Sequence, residues 1–453
     1  MDYGTKMPEL NKPRVASLFS GCGGLDIGFR DCGFDLVFAC DNDPAAIECF
    51  RSNVDQNAFV LDVETSDFRV ALQSLQNVDV VLGGFPCQGF SKAGPKRESD
   101  DRNTLYRHMK WAIETLQPQV FIAENVDGIS QNFKGQFIAQ IESEFAQAGY
   151  AVKSRILDAS AFGVPQFRRR MIFVGIKRDS SAEFNWPLAT HVSTGRNGEF
   201  KIETSEPLLW DLGASQPLLR QRTIEDAISD LVSLDVQVPD HRVTGKWPAN
   251  HAYIFKAIKE GQKLCNVRFA DTSIKTWEIP EVFGDVSERQ VRIINTIAQH
   301  RRHKKYGDIP NGNPLPVDEI CRLSGLKRID QDIAELLNAG YLKKKNGGYD
   351  VKGATFCSGM FKRPNWDEPS PTVLTNFHNP RYFLHPTEDR PFSLRECARL
   401  QGFRDDFIFV RNDSSYSLED GYRLVGNAVP PPLAAALATS VAALWNSKKC
   451  IQV

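Results

Sequence analysis

The 453-residue sequence predicts an α/β fold: a doubly wound, largely parallel, Rossmann-like sheet with a second, smaller domain attached. Three observations lead there. From Arg14 to about Lys177, short apolar runs alternate with amphipathic stretches, the rhythm of strands joined by helices. The first run ends in a glycine-rich turn, a device that lets a ligand lie at a helix N-terminus. Beyond Arg178 the alternation stops, and residues 179–390 are irregular and richer in Pro and Gly.

Element by element, residues 15–19, 36–39, 78–82, 120–123 and 171–175 read as buried strands, the last taken as strand six. Residues 43–51 and 105–116 carry apolar side chains at helical spacing. Ligands bind such sheets beyond the carboxyl ends of the strands, so the chemistry is expected there. Within the irregular stretch, residues 317–322 and 328–337 read as helices around a Ser324-Gly325 turn. The basic run Lys343-Lys344-Lys345-Asn346-Gly347-Gly348-Tyr349 follows, and its Asn-Gly pair favours a tight hairpin. With residues 286–303 as a first helix, this order resembles a winged-helix module; the plainer reading is a small subdomain that braces its neighbours. From Ser393 regularity returns, with a helix near 395–400, the turn Gly426-Asn427-Ala428-Val429-Pro430, and an apolar helix over 433–445. The expected division is a ligand-binding domain at 13–185 and a second domain at 186–388. The second domain carries an insert at about 283–352, and residues 389–450 return to the first.

With 42% apolar and 25% charged residues, the chain reads as an ordinary soluble globular protein. No stretch approaches the roughly eighteen apolar residues that span a bilayer, and the N-terminus lacks a secretory pattern. Ten cysteines without a Cys-x-x-Cys pair argue for reduced thiols in a cytoplasm and against a metal site. The net charge of −1 does not advertise nucleic acid. It hides an asymmetry, because residues 241–350 hold 19 Lys+Arg against 13 Asp+Glu. A local basic face suits phosphate contacts or simply a solvated surface.

The glycine-rich turn is Phe19-Ser20-Gly21-Cys22-Gly23-Gly24-Leu25-Asp26. Gly21 and Gly23 allow a ligand to approach the backbone, and a dinucleotide is the obvious competitor. Asp26 stands where the dinucleotide fingerprint has its third glycine, and a carboxylate there repels a pyrophosphate. The ammonium and sulfonium of S-adenosylmethionine would welcome it. Strand two ends in Asp41-Asn42-Asp43, placed to accept hydrogen bonds from ribose hydroxyls, although Asp43 before Pro44 reads equally as a helix cap. Asp62, after the third apolar run, suits the adenine amino group.

Strand four leads into Gly83-Gly84-Phe85-Pro86-Cys87-Gln88-Gly89-Phe90-Ser91. Most cysteines are inert core residues. Cys87 differs, standing past a strand end behind a rigid proline and among glycines, where a nucleophile can meet a ligand. The polar run at 92–102 reads as a lid over a substrate or as a solvated loop. Strand five ends in Glu124-Asn125-Val126, which places an acid/base group beside the thiol. Before strand six comes Gln166-Phe167-Arg168-Arg169-Arg170, and alternation puts Arg168 and Arg170 on one face. They point to the site or flank the sheet.

Together these pieces resemble a DNA cytosine-5 methyltransferase of the bacterial restriction-modification type over nearly the whole chain. The matching motifs are Phe19-Ser-Gly-Cys-Gly-Gly, Gly84-Phe-Pro-Cys-Gln-Gly-Phe-Ser, Glu124-Asn-Val, Gln166-x-Arg-x-Arg, Arg395-Glu-Cys-Ala-Arg-Leu-Gln-Gly-Phe and Gly426-Asn-Ala-Val-Pro. They stand in the family's order and spacing. The resemblance implies a Rossmann-like S-adenosylmethionine-dependent sheet with Phe19 on the adenine and Pro86, Asn427 and Val429 around the cofactor. It implies that the second domain is a target recognition domain, ending in a stretch like Arg363-Pro-Asn-Trp-Asp-Glu-Pro-Ser-Pro-Thr372. It also implies double-stranded DNA as substrate, a cognate restriction endonuclease as functional partner, a monomeric state and no metal. The insert at 283–352 is not a general family feature. The catalytic residues expected are Cys87, Glu124, Arg168 and Arg170, with both arginines holding the base and steadying Glu124. The rivals are a tRNA cytosine-5 methyltransferase, a non-enzymatic winged-helix regulator and an NAD-dependent oxidoreductase.

Overall fold

The structure is a computed structural model that describes residues 12–86, 105–131, 136–180, 183–193, 218–265, 272–309, 312–352 and 360–451. The chain divides into two compact units, one of Met1–Arg242, Asp367–Asn376 and Ser393–Val453, the other of Val243–Trp366 and Phe377–Phe392.

The first unit is built on a seven-stranded sheet of β1 (Arg14–Leu18), β2 (Asp35–Asp41), β3 (Ala58–Val60), β4 (Val80–Gly83), β5 (Val120–Val126), β6 (Tyr150–Asp158) and β7 (Arg169–Lys177). The spatial order is β3-β2-β1-β4-β5-β7-β6, and β7 alone runs against its two neighbours. The strand order reverses between β1 and β4, the switch point at which open α/β sheets bind ligands. Helices α1 (Gly24–Asp31), α2 (Pro44–Asn53), α3 (Ser66–Ser74), α4 (Tyr106–Leu116), α5 (Gly128–Gln131) and α6 (Gln136–Gln147) fill the connections.

One face of the sheet shares a core with the helices. Ala16, Leu18, Val81, Phe121, Ala123 and Phe173 pack with Phe68 and Leu72 of α3, Met109 and Ile113 of α4, and Phe145 of α6. The residues between them, such as Val15, Val80, Leu82, Ile122 and Ile172, are equally buried, so both faces are covered. Such strands read as continuous apolar runs, which is why five of them were legible. β6 was not. It sits at the sheet edge, where Lys153 is exposed and Ser154 and Arg155 are only partly buried. The expected strand six is therefore the seventh, and it runs antiparallel.

α7 (Ile224–Ile228) belongs to this unit, and the chain later returns to it with α13 (Leu394–Leu400), α14 (Leu418–Asn427) and α15 (Pro431–Ile451). A Cβ on Gly28 of α1 would lie 2.5 Å from the Ala434 backbone, so α1 and α15 touch through a glycine. Residues 218–242 pack here too, although the sequence reading put them after a boundary at 186. The reason is a buried knot: Arg395 donates to the Pro239, Arg404 and Phe407 carbonyls, while Asp240 accepts from the Phe409 and Val410 amides. Residues 367–376 also belong to this unit, held by paired backbone bonds between Phe167 and Ser370 and between Ser370 and Pro165. Among the described residues no single helix is long and apolar enough to cross a membrane; the bent pair α14–α15 has the composition, but Leu433, Leu437 and Val441 are buried.

The second unit contains α8 (His251–Ala257), a short pairing of β8 (Lys263–Leu264) with β9 (Ser273–Ile274), and α9 (Pro280–Phe283). It goes on to α10 (Glu288–His300), α11 (Val317–Ser324), α12 (Asp330–Asn338) and the hairpin of β10 (Leu342–Lys345) and β11 (Gly348–Val351). Arg363 is an internal staple, donating to the Phe255, Ile258, His385 and Glu388 carbonyls.

Candidate active site

β1 runs into the glycine-rich turn. Phe19 (φ 53), Gly21 (φ 55) and Gly23 (φ 90) all lie in the left-handed region. A side chain at Gly23 would strike Phe50 of α2 and Val54 just after it, whereas at Gly21 it would meet nothing within 4 Å. Gly23 thus serves packing, and Gly21 leaves space open over its backbone. The Gly21 amide donates to Asp41 Oδ2 (2.9 Å) and the Asp43 amide to Asp41 Oδ1 (3.0 Å), so Asp41 ties the end of β2 to the turn. Burial pushes the Asp41 carboxyl above the usual carboxylate range although both amides hold it down. Asn42 is exposed and its Nδ2 lies 3.5 Å from Asp62 Oδ2, which gathers Asp41, Asn42 and Asp62 at one end of β2 and β3. Asp43 is a structural acid: it caps α2 at the Ala45 amide (3.1 Å) and pairs with Arg423.

Asp26, expected to face the ligand, does not. It is fully buried on α1, and neither carboxyl oxygen finds a hydrogen-bond partner of good geometry. Burial raises its pKa to about 7, with nearby Ser17 opposing the shift. The turn after α14 does reach the glycine-rich turn, because a Cβ on Gly24 would lie 2.3 Å from the Val429 carbonyl oxygen. Val429 is buried there and Asn427 is exposed.

At the end of β4, the Gly84 amide donates to the Leu18 carbonyl (3.3 Å) and Asn125 Nδ2 donates to the Phe85 carbonyl (3.0 Å). The turn through Pro86 is thereby fixed to β1 and β5. Cys87 and the polar run at 92–102 lie outside the described residues. Glu124 faces this turn, since its Oε2 would be 3.6 Å from a Cβ on Gly84. Arg170 Nε lies 2.7 Å from Glu124 Oε1, and both side chains are about nine-tenths buried (10% and 11% exposed). The antiparallel register explains the meeting: Val126 stands opposite Arg170 and Glu124 opposite Ile172, which sets the two on one face. Burial raises the Glu124 pKa, and the charges of Arg170 and Arg168 oppose that shift.

Arg168 shares the face but has a different employment. Its Nη1 donates to the Val373 carbonyl (3.0 Å) and its Nη2 to the Gly426 (2.8 Å) and Ala428 (2.9 Å) carbonyls. These flank Asn427. Gln401 Nε2 adds bonds to the Val425 and Ala428 carbonyls, and Gln166 joins Gln401 to the Val373 amide. Three fully buried polar side chains thus clamp the turn at 425–428. Sequence reasoning assigned no role to Gln166, Gln401 or Asn125, although all three stand inside the matching motifs.

The family profile described as C-5 cytosine-specific DNA methylase matches residues 13–443. The chain belongs to that family. It is a DNA (cytosine-5)-methyltransferase, and its methyl donor is S-adenosylmethionine. The methyltransferase is similar to the Type II methyltransferase M.NgoFVII of Neisseria gonorrhoeae, with 29% identity over 96% of this chain and 88% of that one. It is equally similar to M.AgeI of Thalassovita gelatinovora, at 29% identity over 94% and 99%. The crystal structure of a prophage-encoded E. coli protein, described as a DNA modification methyltransferase, covers 96% of the chain and matches at 22% identity with a TM-score of 0.52. That likeness bears on the fold alone.

Proposed function

We propose that this methyltransferase modifies carbon 5 of a flipped-out cytosine in a specific duplex sequence, as the modification partner of a restriction endonuclease, in a bacterial cytoplasm. The buried Glu124–Arg170 pair facing the turn before Cys87 carries the reading. Carbon 5 of cytosine is too weak a nucleophile to attack a methyl donor unaided. Addition of the Cys87 thiolate to carbon 6 saturates the 5,6 double bond and moves electron density to carbon 5. Negative charge develops on ring nitrogen 3, where a protonated Glu124 donates. The raised pKa of Glu124 keeps that proton available, and Arg170 holds the carboxyl in register. After methylation a water molecule takes the carbon 5 proton, the electron pair left behind re-forms the 5,6 double bond and expels the Cys87 thiolate, and the nitrogen 3 proton returns to Glu124.

S-adenosylmethionine supplies the electrophilic methyl group. The residues fit it: space is open over Gly21, Gly23 lets the turn close on α2, and Phe19 is a half-buried aromatic at the end of β1. Asp41, Asn42 and Asp62 suit ribose and adenine, and Pro86, Asn427 and Val429 would border the pocket. Arg168 is a positioning residue, acting through the turn that carries Asn427. Carbon 6 must be approached from above the ring, so the base has to leave the stack at a cost of a few kcal/mol. Methyl transfer to duplex DNA and to tRNA, followed by bisulfite sequencing, tests the assignment. The expected result is 5-methylcytosine in one duplex sequence; transfer to tRNA alone would overturn it.

A further inference from the structure

Residues 283–352 form a unit that the chemistry above does not use. α10 opens with a capping box, in which Ser287 and Gln290 satisfy each other's backbone amides. Leu315 then pairs with Tyr349 through two backbone bonds (2.9 and 2.8 Å), which adds a third extended segment beside the β10–β11 hairpin. α11 and α12 follow one another through a turn that begins at Gly325 (φ 70). Ile293, Ile297, Leu315, Ile320, Ile333, Leu336 and Leu342 give the unit a core of its own. The hairpin tip, Asn346 (φ 45) and Gly347 (φ 76), is a left-handed two-residue turn. Helix, strand, helix, helix and hairpin in this order is a helix-turn-helix with a wing.

The surface of the unit is sorted by chemistry. The acids of α12 that flank α10 are spent internally, with Asp332 on Arg289 (2.7 Å) and Glu335 accepting from Gln290 (2.6 Å). The exposed stripe at helical spacing is Gln331, Ala334 and Asn338, with Gln331 Nε2 donating to the neighbouring exposed Glu335 (3.0 Å). Amide side chains match adenine edges in the major groove, and a small apolar one admits the thymine methyl. Both ends of the stripe have exposed cations nearby in sequence or on the wing: Lys327 and Arg328 before α12, and Lys344 and Lys345 on the hairpin. Lys343, by contrast, turns back to Asp350 (3.6 Å).

We propose that this unit reads base pairs beside the target cytosine, with α12 in the major groove and the wing lysines on flanking phosphates. The proposal rests on duplex DNA being the substrate. In the full-length enzyme, Lys344→Ala with Lys345→Ala should weaken duplex binding about tenfold regardless of sequence. It should also reduce the salt slope of log Kd by about two, as expected for two lost phosphate contacts. Gln331→Ala with Asn338→Ala should keep that slope and instead flatten, by about tenfold, a sequence preference at base pairs next to the target. Bisulfite sequencing of methylated libraries randomised beside the target site reads that preference. Unchanged binding, slope and preference in both variants, with wild-type melting temperatures, would overturn the proposal and assign the face to a protein partner. Should the wild type methylate no DNA, the functional reading fails, and the binding arm still decides the proposal.

Discussion

The ends of β1 and β5 lead to two buried carboxyl groups, and an arginine answers only one of them. Glu124 meets Arg170 at 2.7 Å and faces the turn before Cys87; Asp26 lies fully buried on α1 with neither oxygen well bonded. Burial raises both pKa values. At Glu124 the opposing charge keeps the acid poised and fixes its direction. At Asp26 nothing comparable does, and the proton is retained chiefly because the charge is costly inside. On this difference we read Glu124, oriented by Arg170 beside the turn before Cys87, as the proposed acid, and Asp26 as a residue of the packing.

The widest gap between the two should appear on removing the carboxyl charge. Glu124→Gln is expected to lower kcat by about 10²- to 10⁴-fold while cofactor affinity holds, the range for losing a general acid. Asp26→Asn should leave kcat within about threefold; an equal loss in both variants would erase the distinction. The next effect is on stability. Native Asp26 titrates near 7 against an ordinary 3.8, so between those values the folded state keeps a proton that the unfolded chain has released. Wild-type stability should therefore fall as pH rises from about 4 to about 7, by as much as about 4 kcal/mol at 1.4 kcal/mol per unit. Asp26→Asn removes that slope. Parallel denaturation curves for the two proteins between pH 4 and pH 8 would show that the group does not titrate as described.

The smallest expected effect separates two arginines on one strand face. Arg170→Lys should cut kcat about tenfold, since a single ammonium cannot both meet Glu124, as Nε does, and be fixed by the Arg169 carbonyl, as Nη1 is. Arg168→Lys should raise the KM for S-adenosylmethionine about tenfold and spare kcat, because its guanidinium grips the carbonyls around Asn427. Initial-rate kinetics on both variants checks the split, and matching losses in kcat would mean that both arginines serve the base.

Much of this was legible in the sequence for a physical reason. Buried parallel strands are apolar runs, and their ends carried the residues that meet in the fold: Gly84, Glu124 and Arg170, or Gly21 and Asp41. Alternation placed Arg168 and Arg170 together correctly. What it could not show is where a long side chain ends, and Arg168 turned out to reach a turn some 260 residues away in sequence. Asp26 misled because its spacing from the glycines says nothing of which side of α1 it occupies. The edge strand β6 and the boundary near Arg242 were hidden because partly exposed polar strands and buried loop knots have no sequence period.

The most direct test of the chemistry concerns the Cys87 sulfur. Duplex DNA with 5-fluorocytosine in place of cytosine should trap the wild-type enzyme, in the presence of S-adenosylmethionine, as a complex stable to denaturing electrophoresis. Fluorine cannot leave carbon 5 as the proton does, so the thiolate cannot be expelled. Cys87→Ser should give no such complex. A trapped complex with Cys87→Ser, or methylation of ordinary DNA by that variant at the wild-type rate, would contradict covalent addition through Cys87.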